Sequence, residues 1–239
     1  MTLKLGVPSK GRLQAQTVDW FAARGVGIAL TGTDREYAGR VDGVDGVQLV
    51  LLAAGEIPRE LVAGRIHMGV TGQDVVAERV TDGRVVELAE MGFGRADLVV
   101  AVPRFWIDVD GMDDLDAAAA AFRAAHGHRF RVATKYHNLA RGWFQKHDMA
   151  DYHLIDSQGA TEGTIANGTA EAIVDITSSG DTLRANHLKI LSDGPILQSQ
   201  AALFASRRAD WSLAAQAAYG SFAQRLAVSP PDPPWASAP

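Results

Sequence analysis

Residues 171–183 read EAIVDITSSGDTL, an apolar run that ends in an aspartate and is followed at once by hydroxylated residues and a glycine. It places carboxylates at Glu171 and Asp175, hydroxyls at Thr177, Ser178, Ser179 and Thr182, and Gly180 and Asp181 between them. One reading is a strand that ends in an ordinary helix cap. The other is a cradle for a phosphorylated sugar. In parallel sheets ligands bind beyond the carboxyl ends of the strands. The N–H groups of a turn entering a helix favour an anion there. Gly180 lets the backbone approach a phosphate or take positive φ. Asp175 and Glu171 would repel a phosphate, so they suit neutral hydroxyls or a metal. Together these groups fit a ribose 5-phosphate, with the anion on residues 177–182 and the diol on the carboxylate. Asp181 lies inside the turn, and a carboxylate facing the phosphate would weaken binding. It is expected to point away or to cap the next helix.

Further candidates lie outside this stretch. Lys10 and Arg12 follow the first apolar run, where cations suit a diphosphate or triphosphate; the alternative is solvated charge at a helix start. Gly72 and Asp74 open a helix after a strand, either as polyphosphate contacts or as a plain N-terminal turn. Glu162 suits a ribose hydroxyl or a developing positive charge, or is an exposed carboxylate at a helix start. Arg95, Lys135 and Tyr136 suit polyphosphate and base contacts. The chain has no cysteine, which excludes thiolate nucleophiles, disulfides and Cys-ligated metals. His126 and His128 are too close for a helical metal pair, so no structural zinc is expected.

The elements that must position these groups follow from periodicity. Short apolar runs alternate with amphipathic stretches, the pattern of α/β units. Strands are expected at 3–7, 47–52, 67–71, 97–103, 130–134, 152–155, 172–176 and 188–192. Their near-continuous Val, Ile and Leu content predicts mostly parallel sheets covered on both faces. Helices are expected in GRLQAQTVDWFAARG, IPRELVAG, DDLDAAAAAFRAAHG and RADWSLAAQAAYGSFAQRLAV. The predicted division is domain I over 1–96 with a return segment over 188–225, domain II over 97–187, and a disordered proline-rich tail over 226–239. A net charge of −5 with no long Lys/Arg run argues against nucleic acid and against a membrane surface. The first apolar stretch is too short for a secretion signal, so a cytoplasmic location is expected.

Five segments in order carry a family resemblance: VPSKGRL (7–13), GVTGQDVVAE (69–78), FGRADLVVAVP, RVATKYHNLAR (131–141) and the stretch 159–191 around the hydroxyl-rich turn. ILQSQAALFAS continues it, and the likeness spans roughly residues 3 to 206. The chain resembles ATP phosphoribosyltransferase in its short form, the catalytic subunit for the first step of histidine biosynthesis. That resemblance implies two α/β domains around a cleft, like type II periplasmic binding proteins. It implies attack of adenine N1 of ATP on C1 of phosphoribosyl diphosphate, giving N1-(5-phosphoribosyl)-ATP and diphosphate. Glu162 and Asp175 would be the catalytic carboxylates. Residues 171, 175 and 177–182 would bind phosphoribosyl diphosphate, and Lys10, Arg12, Gly72, Asp74, Arg95, Lys135 and Tyr136 would bind ATP or polyphosphate. Mg2+ would be held largely by the substrates rather than by the protein alone. The short form implies a homodimer within a hetero-oligomer whose regulatory subunit resembles histidyl-tRNA synthetase. The apolar faces of the terminal helix and of the first domain are the expected association surfaces. The sequence departs from the family at Asp181, where Thr or Ala is usual, at His137, where proline is common, and at Gly163 and Thr164. The alternatives are a solute-binding protein of the same fold or a non-catalytic homologue.

Overall fold

The computed structural model describes residues 2–31, 38–228 and 233–236. The chain divides into two compact units, Met1–Gly94 with Gln200–Pro239, and Arg95–Ser199. The first unit begins with β1 (Leu3–Pro8), α1 (Gly11–Ala22), β2 (Gly27–Thr31), β3 (Ala38–Asp42) and β4 (Val47–Leu52). It continues through α2 (Ile57–Val62), β5 (Met68–Gly72), α3 (Gln73–Arg79) and β6 (Val85–Glu90). The second unit holds β7 (Ala96–Pro103), α4 (Met112–His126), β8 (Phe130–Thr134), α5 (His137–Lys146), β9 (Tyr152–Asp156) and α6 (Gly163–Ala166). It ends with β10 (Ala172–Thr177), α7 (Asp181–Ala185), β11 (Leu188–Ile190) and β12 (Leu197–Ser199). The chain then returns to the first unit as β13 (Ala201–Ser206) and α8 (Leu213–Leu226).

Both sheets are mixed, which corrects the expectation of mostly parallel pairing. The first runs β2-β3-β4-β1-β5-β13-β6, with β1 parallel to β4 and β5 and the flanking strands antiparallel. The second runs β11-β7-β10-β8-β9, with β12 also on β7. There β8 is parallel to β9 and β10, while β7 is antiparallel to β10, β11 and β12. A continuous apolar run reports burial on both faces, and a buried antiparallel strand such as β7 gives the same signal.

Alternation along the strands sets the layers. In β10, Ala172 and Val174 join the cluster beneath α4 and α5, while Ile173 joins the opposite cluster with Leu183 of α7 and Ile165 of α6. In β13, Ala201, Leu203 and Ala205 face the cluster of α1 and α8, and Ala202 and Phe204 face that of α2. Helix ends follow capping rules. Asp114 accepts from the N–H groups of Gly111 and Asp110 at 3.0 and 2.9 Å to start α4, which stops at Gly127 in left-handed conformation.

Three organisational expectations change. The return to the first unit begins at Gln200 rather than 188, because β11 and β12 both hydrogen-bond to β7. Within the tail expected to be disordered, Val228 is buried and Trp235 packs its ring 5.2 Å from Trp211 and 5.3 Å from Tyr219. Arg207 also donates to the Ala236 carbonyl at 3.0 Å. The remaining tail residues, 229–232 and 237–239, lie outside the described set. Finally, the apolar face of α8 is not a free association surface: Ala215, Ala218, Tyr219, Phe222 and Leu226 are all buried in the first unit's own core. Burial pushes the Tyr219 hydroxyl up to about 12.

Candidate active site

Strand direction decides which candidate residues meet. In the second unit β8, β9 and β10 run parallel, so the segments that follow them leave from one edge of the sheet. Those segments carry Lys135, the 157–162 loop with Glu162 at its end, and the 177–182 turn. The loop is tied to that edge by the Ser157 N–H, which donates to the Thr134 carbonyl at 3.1 Å. Because β7 is antiparallel to β10, with Asp97 opposite Thr177, the start of β7 and Arg95 before it lie at the same edge. The chain therefore enters and leaves the second unit where these candidates gather.

Asp175 and Lys135 share one face of the sheet, the face of Ile173 and Ala133. The Asp175 carboxylate lies 3.9 Å from Lys135 Nζ, and its Oδ1 also accepts from the Ile176 N–H at 2.8 Å. Its second oxygen has no partner among the described residues. Glu162 is half-buried beside α6, whose Ile165 packs on that same face.

The turn is organised by its own side chains. Gly180 adopts φ 74°, a conformation that strains any residue with a Cβ, and its N–H donates to Thr177 Oγ1 at 2.9 Å. Ser179 donates its hydroxyl proton to Asp181 Oδ2 at 2.6 Å, so it is already engaged rather than open to a ligand. The hydroxyls of Ser178 and Thr182 are exposed and have no partner among the described residues. Asp181 does not stand alone in the turn: Arg184 donates to its Oδ1 at 2.5 Å and to the Ser179 carbonyl at 2.9 Å. The Ser179 hydroxyl first, and the Arg184 guanidinium second, hold the Asp181 carboxyl below the usual carboxylate range. Arg184 is the residue that sequence reasoning missed. The available signal was its i,i+3 spacing from Asp181 on a helix.

Two candidates are kept apart from these groups, one at the far end of the strand and one on the other face of the sheet. Glu171 precedes β10 at the opposite end, where it accepts from Arg131 N at 2.7 Å and from Arg131 Nε at 3.1 Å and also pairs with Nη2. That pairing raises the Arg131 guanidinium above its ordinary range. Tyr136 is 2% exposed and packs in the α4–α5 cluster on the other face, because it is one residue out of phase with Lys135.

The first unit repeats the edge logic. Its parallel strands β1 and β5 end at Pro8 and Gly72, so Lys10, Arg12 and the start of α3 emerge together. Lys10 and Arg12 are exposed and form no ion pair among the described residues. Asp74 is buried at 6% exposure, and a Cβ on Gly72 would sit 2.2 Å from its Oδ1. Gly72 therefore makes room for the Asp74 carboxylate in the first turn of α3. Among the described residues no group of three or more His, Asp or Glu side chains could hold a metal ion, and no helix is long and apolar enough to cross a membrane.

The family model described as HisG: ATP phosphoribosyltransferase matches residues 53–227. The chain belongs to the ATP phosphoribosyltransferase family. It is 67% identical over 234 residues to the ATP phosphoribosyltransferase of Cereibacter sphaeroides, covering 97% of this chain and 99% of that one. It is 53% identical over 212 residues to the enzyme of a Bradyrhizobium species, covering 88% of this chain and 65% of that one. Its fold is similar to the ATP phosphoribosyl transferase (HisG:HisZ) complex from Thermotoga maritima, with TM-score 0.70 at 22% identity over 94% of this chain and 96% of that one. The alkanesulfonate-binding protein SsuA from Xanthomonas axonopodis pv. citri, bound to MOPS, shares the fold at TM-score 0.52 and 14% identity, over 94% of this chain and 71% of that one. The architecture is thus that of type II periplasmic binding proteins. The family's reaction, and this enzyme's, transfers the 5-phosphoribosyl group of phosphoribosyl diphosphate to N1 of ATP, releasing diphosphate in the first step of histidine biosynthesis. Enzymes of this family generally use a divalent metal.

The placement of Glu171 yields a prediction. Glu171→Gln removes the charge that Arg131 faces and should destabilise the second unit by about 1.5–3 kcal/mol, the range for a charge-assisted hydrogen bond. Affinity for phosphoribosyl diphosphate should stay within about twofold in calorimetry, a shift of under about half a kcal/mol. A large loss of affinity with unchanged melting would return Glu171 to the ligand site.

Proposed function

We propose that phosphoribosyl diphosphate is held at the carboxyl edge of the second unit, with its 5-phosphate on residues 177–182 and its ribose diol on Asp175. The observation that supports this most is the shared edge of β7, β8, β9 and β10, which gathers Arg95, Lys135, Glu162 and the turn. Thr177, Ser178 and Thr182 supply hydroxyl donors, and Gly180 supplies the backbone conformation that shapes the turn. Ser179 and Asp181 belong to its scaffold. Glu171 braces the far end of the strand. Lys10, Arg12, Gly72 and Asp74 mark the corresponding edge of the first unit as the ATP side, with Lys10 and Arg12 as phosphate contacts and Gly72 and Asp74 shaping the start of α3.

Adenine N1 is unprotonated near neutral pH, so attack on C1 needs no general base to create the nucleophile. The obstacles are the mutual repulsion of two polyanions and the departure of diphosphate. Lys135 and Arg95 offset the charge on the diphosphate, and Asp175 and Glu162 stabilise the positive charge that C1 gains as the C–O bond breaks. Positioning of the two substrates supplies much of the remaining acceleration. We assign the divalent ion as Mg2+ carried by the substrates, since no three-carboxylate cage occurs among the described residues and such ions are commonly held by phosphates plus one or two carboxylates. When bound it neutralises diphosphate oxygens.

We place the chain in the cytoplasm, as a homodimer that joins a regulatory subunit resembling histidyl-tRNA synthetase. The Thermotoga maritima neighbour named as a two-component complex supports this reading. A solute-binding role is disfavoured by the 67% identical transferase, which matches over almost the whole chain.

Two expected outcomes check these assignments. Asp175→Asn should weaken phosphoribosyl diphosphate binding about tenfold to a hundredfold, the equivalent of losing one charge-assisted hydrogen bond. Titration calorimetry showing unchanged affinity would remove Asp175 from the site. For the partner, the purified chain should turn over weakly and be indifferent to histidine, and histidine inhibition should appear only with the second subunit present. Full turnover that histidine suppresses in the isolated chain would overturn the two-subunit reading.

A further inference from the structure

We infer that Arg184 is a positioning residue that makes an acidic phosphate turn usable, by neutralising Asp181 and fixing the Ser179 carbonyl. This deepens the assignment of residues 177–182 to the 5-phosphate and rests on it. Asp181 is the first residue of α7 and 77% exposed, directly after the glycine that shapes the turn. A free carboxylate here would stand beside a phosphate carrying up to two negative charges. Two contacts turn it aside: Ser179 Oγ donates to Oδ2 at 2.6 Å, and Arg184 Nη2 donates to Oδ1 at 2.5 Å. The same guanidinium donates to the Ser179 carbonyl at 2.9 Å, so one side chain also withdraws a carbonyl dipole from the anion. The geometry is local and closed. An ideal Cβ at Gly180 would lie 2.8 Å from Arg184 Nη1, so the guanidinium packs closely over the glycine of the turn.

An exposed i,i+3 pair contributes little to folding. Its role here is electrostatic, directed at a ligand rather than at stability. Arg184 and Asp181 together present a net neutral group; without Arg184, the turn presents a bare negative charge to the phosphate. Acting through Asp181 is distinct from acting on the phosphate itself. A guanidinium that attracted the phosphate by contact or by its own charge would matter whether or not Asp181 carried a charge.

The test is a double-mutant cycle read by calorimetry of phosphoribosyl diphosphate with Mg2+ on the full chain. Arg184→Gln should raise Kd on the order of tenfold at low ionic strength, the effect of exposing one carboxylate to a nearby dianion. In an Asp181→Asn background the same change removes only the guanidinium's own attraction for the ligand and frees no carboxylate to face it, so the loss should be at least about threefold smaller. The Arg184→Gln loss should also shrink toward 1 M salt, where screening reaches about 3 Å. Thr182→Ala serves as the control for the turn itself. Equal losses from Arg184→Gln in both backgrounds would show that Arg184 acts on the ligand by its own charge or contact rather than through Asp181, and would overturn the proposal. A loss from Thr182→Ala with none from Arg184→Gln would overturn it while leaving the turn as the phosphate site. No loss from either would overturn the turn assignment, and the proposal with it.

Discussion

The parallel pairing of β8 with β10 is the constraint on which the rest of the site depends. Its register sets Ala172 beside Val132 and Val174 beside Thr134, so both strands deliver their carboxyl ends to one edge. Lys135 and Asp175 can approach within 3.9 Å only because of that direction. An antiparallel pairing would separate them by the length of a strand, about 17 Å for five residues. The register is held by burial. Val132, Ala172 and Val174 fill one cluster, and Ala133 and Ile173 the other, so a slip by one residue would exchange the two faces. The same slip would carry Asp175 and Lys135 to opposite sides of the sheet.

Charge is handled differently at the two ends of β10. At its start Glu171, with an 11% exposed side chain, meets Arg131 through several hydrogen bonds, and the pair braces β8 against β10. At its end the charges are more exposed and more loosely joined: Lys135 stands at the limit of an ion pair with Asp175, and Asp181 is covered by Arg184 and Ser179. Loose, solvated charges can exchange partners when a polyanion arrives, whereas a tight buried pair resists that exchange. The distribution suits a structural role at one end of the strand and, on the proposed reading, ligand binding at the other.

Much of this was legible in the sequence where local pattern and burial agree. The apolar runs that became β1, β4, β7, β8 and β10 stand out because both faces of each are covered. β13 did not stand out: Ala201, Ala202 and Ala205 lack the branched side chains that mark strands, and only its place between β5 and β6 makes it a strand. Strand direction was not legible, since parallel and antiparallel buried strands share a composition. Two site candidates lie apart from the others, and side-chain placement is the reason. Glu171 and Asp175 share a motif but lie four residues apart on an extended strand, a separation of about 13 Å. Tyr136 adjoins Lys135 in sequence but faces the opposite layer. Arg184 was hidden because its contacts with Asp181 and the Ser179 carbonyl appear only once the turn is placed.

On the proposed reading, phosphoribosyl diphosphate occupies the carboxyl edge of the second unit. Hydrogen–deuterium exchange of the full chain with and without phosphoribosyl diphosphate and Mg2+ measures this residue by residue. Bound ligand should add protection across 177–183 and around Lys135, with the Arg131–Glu171 end of the same strands unchanged. Protection confined to that far end, or absent from 177–183 at saturating ligand, would contradict it.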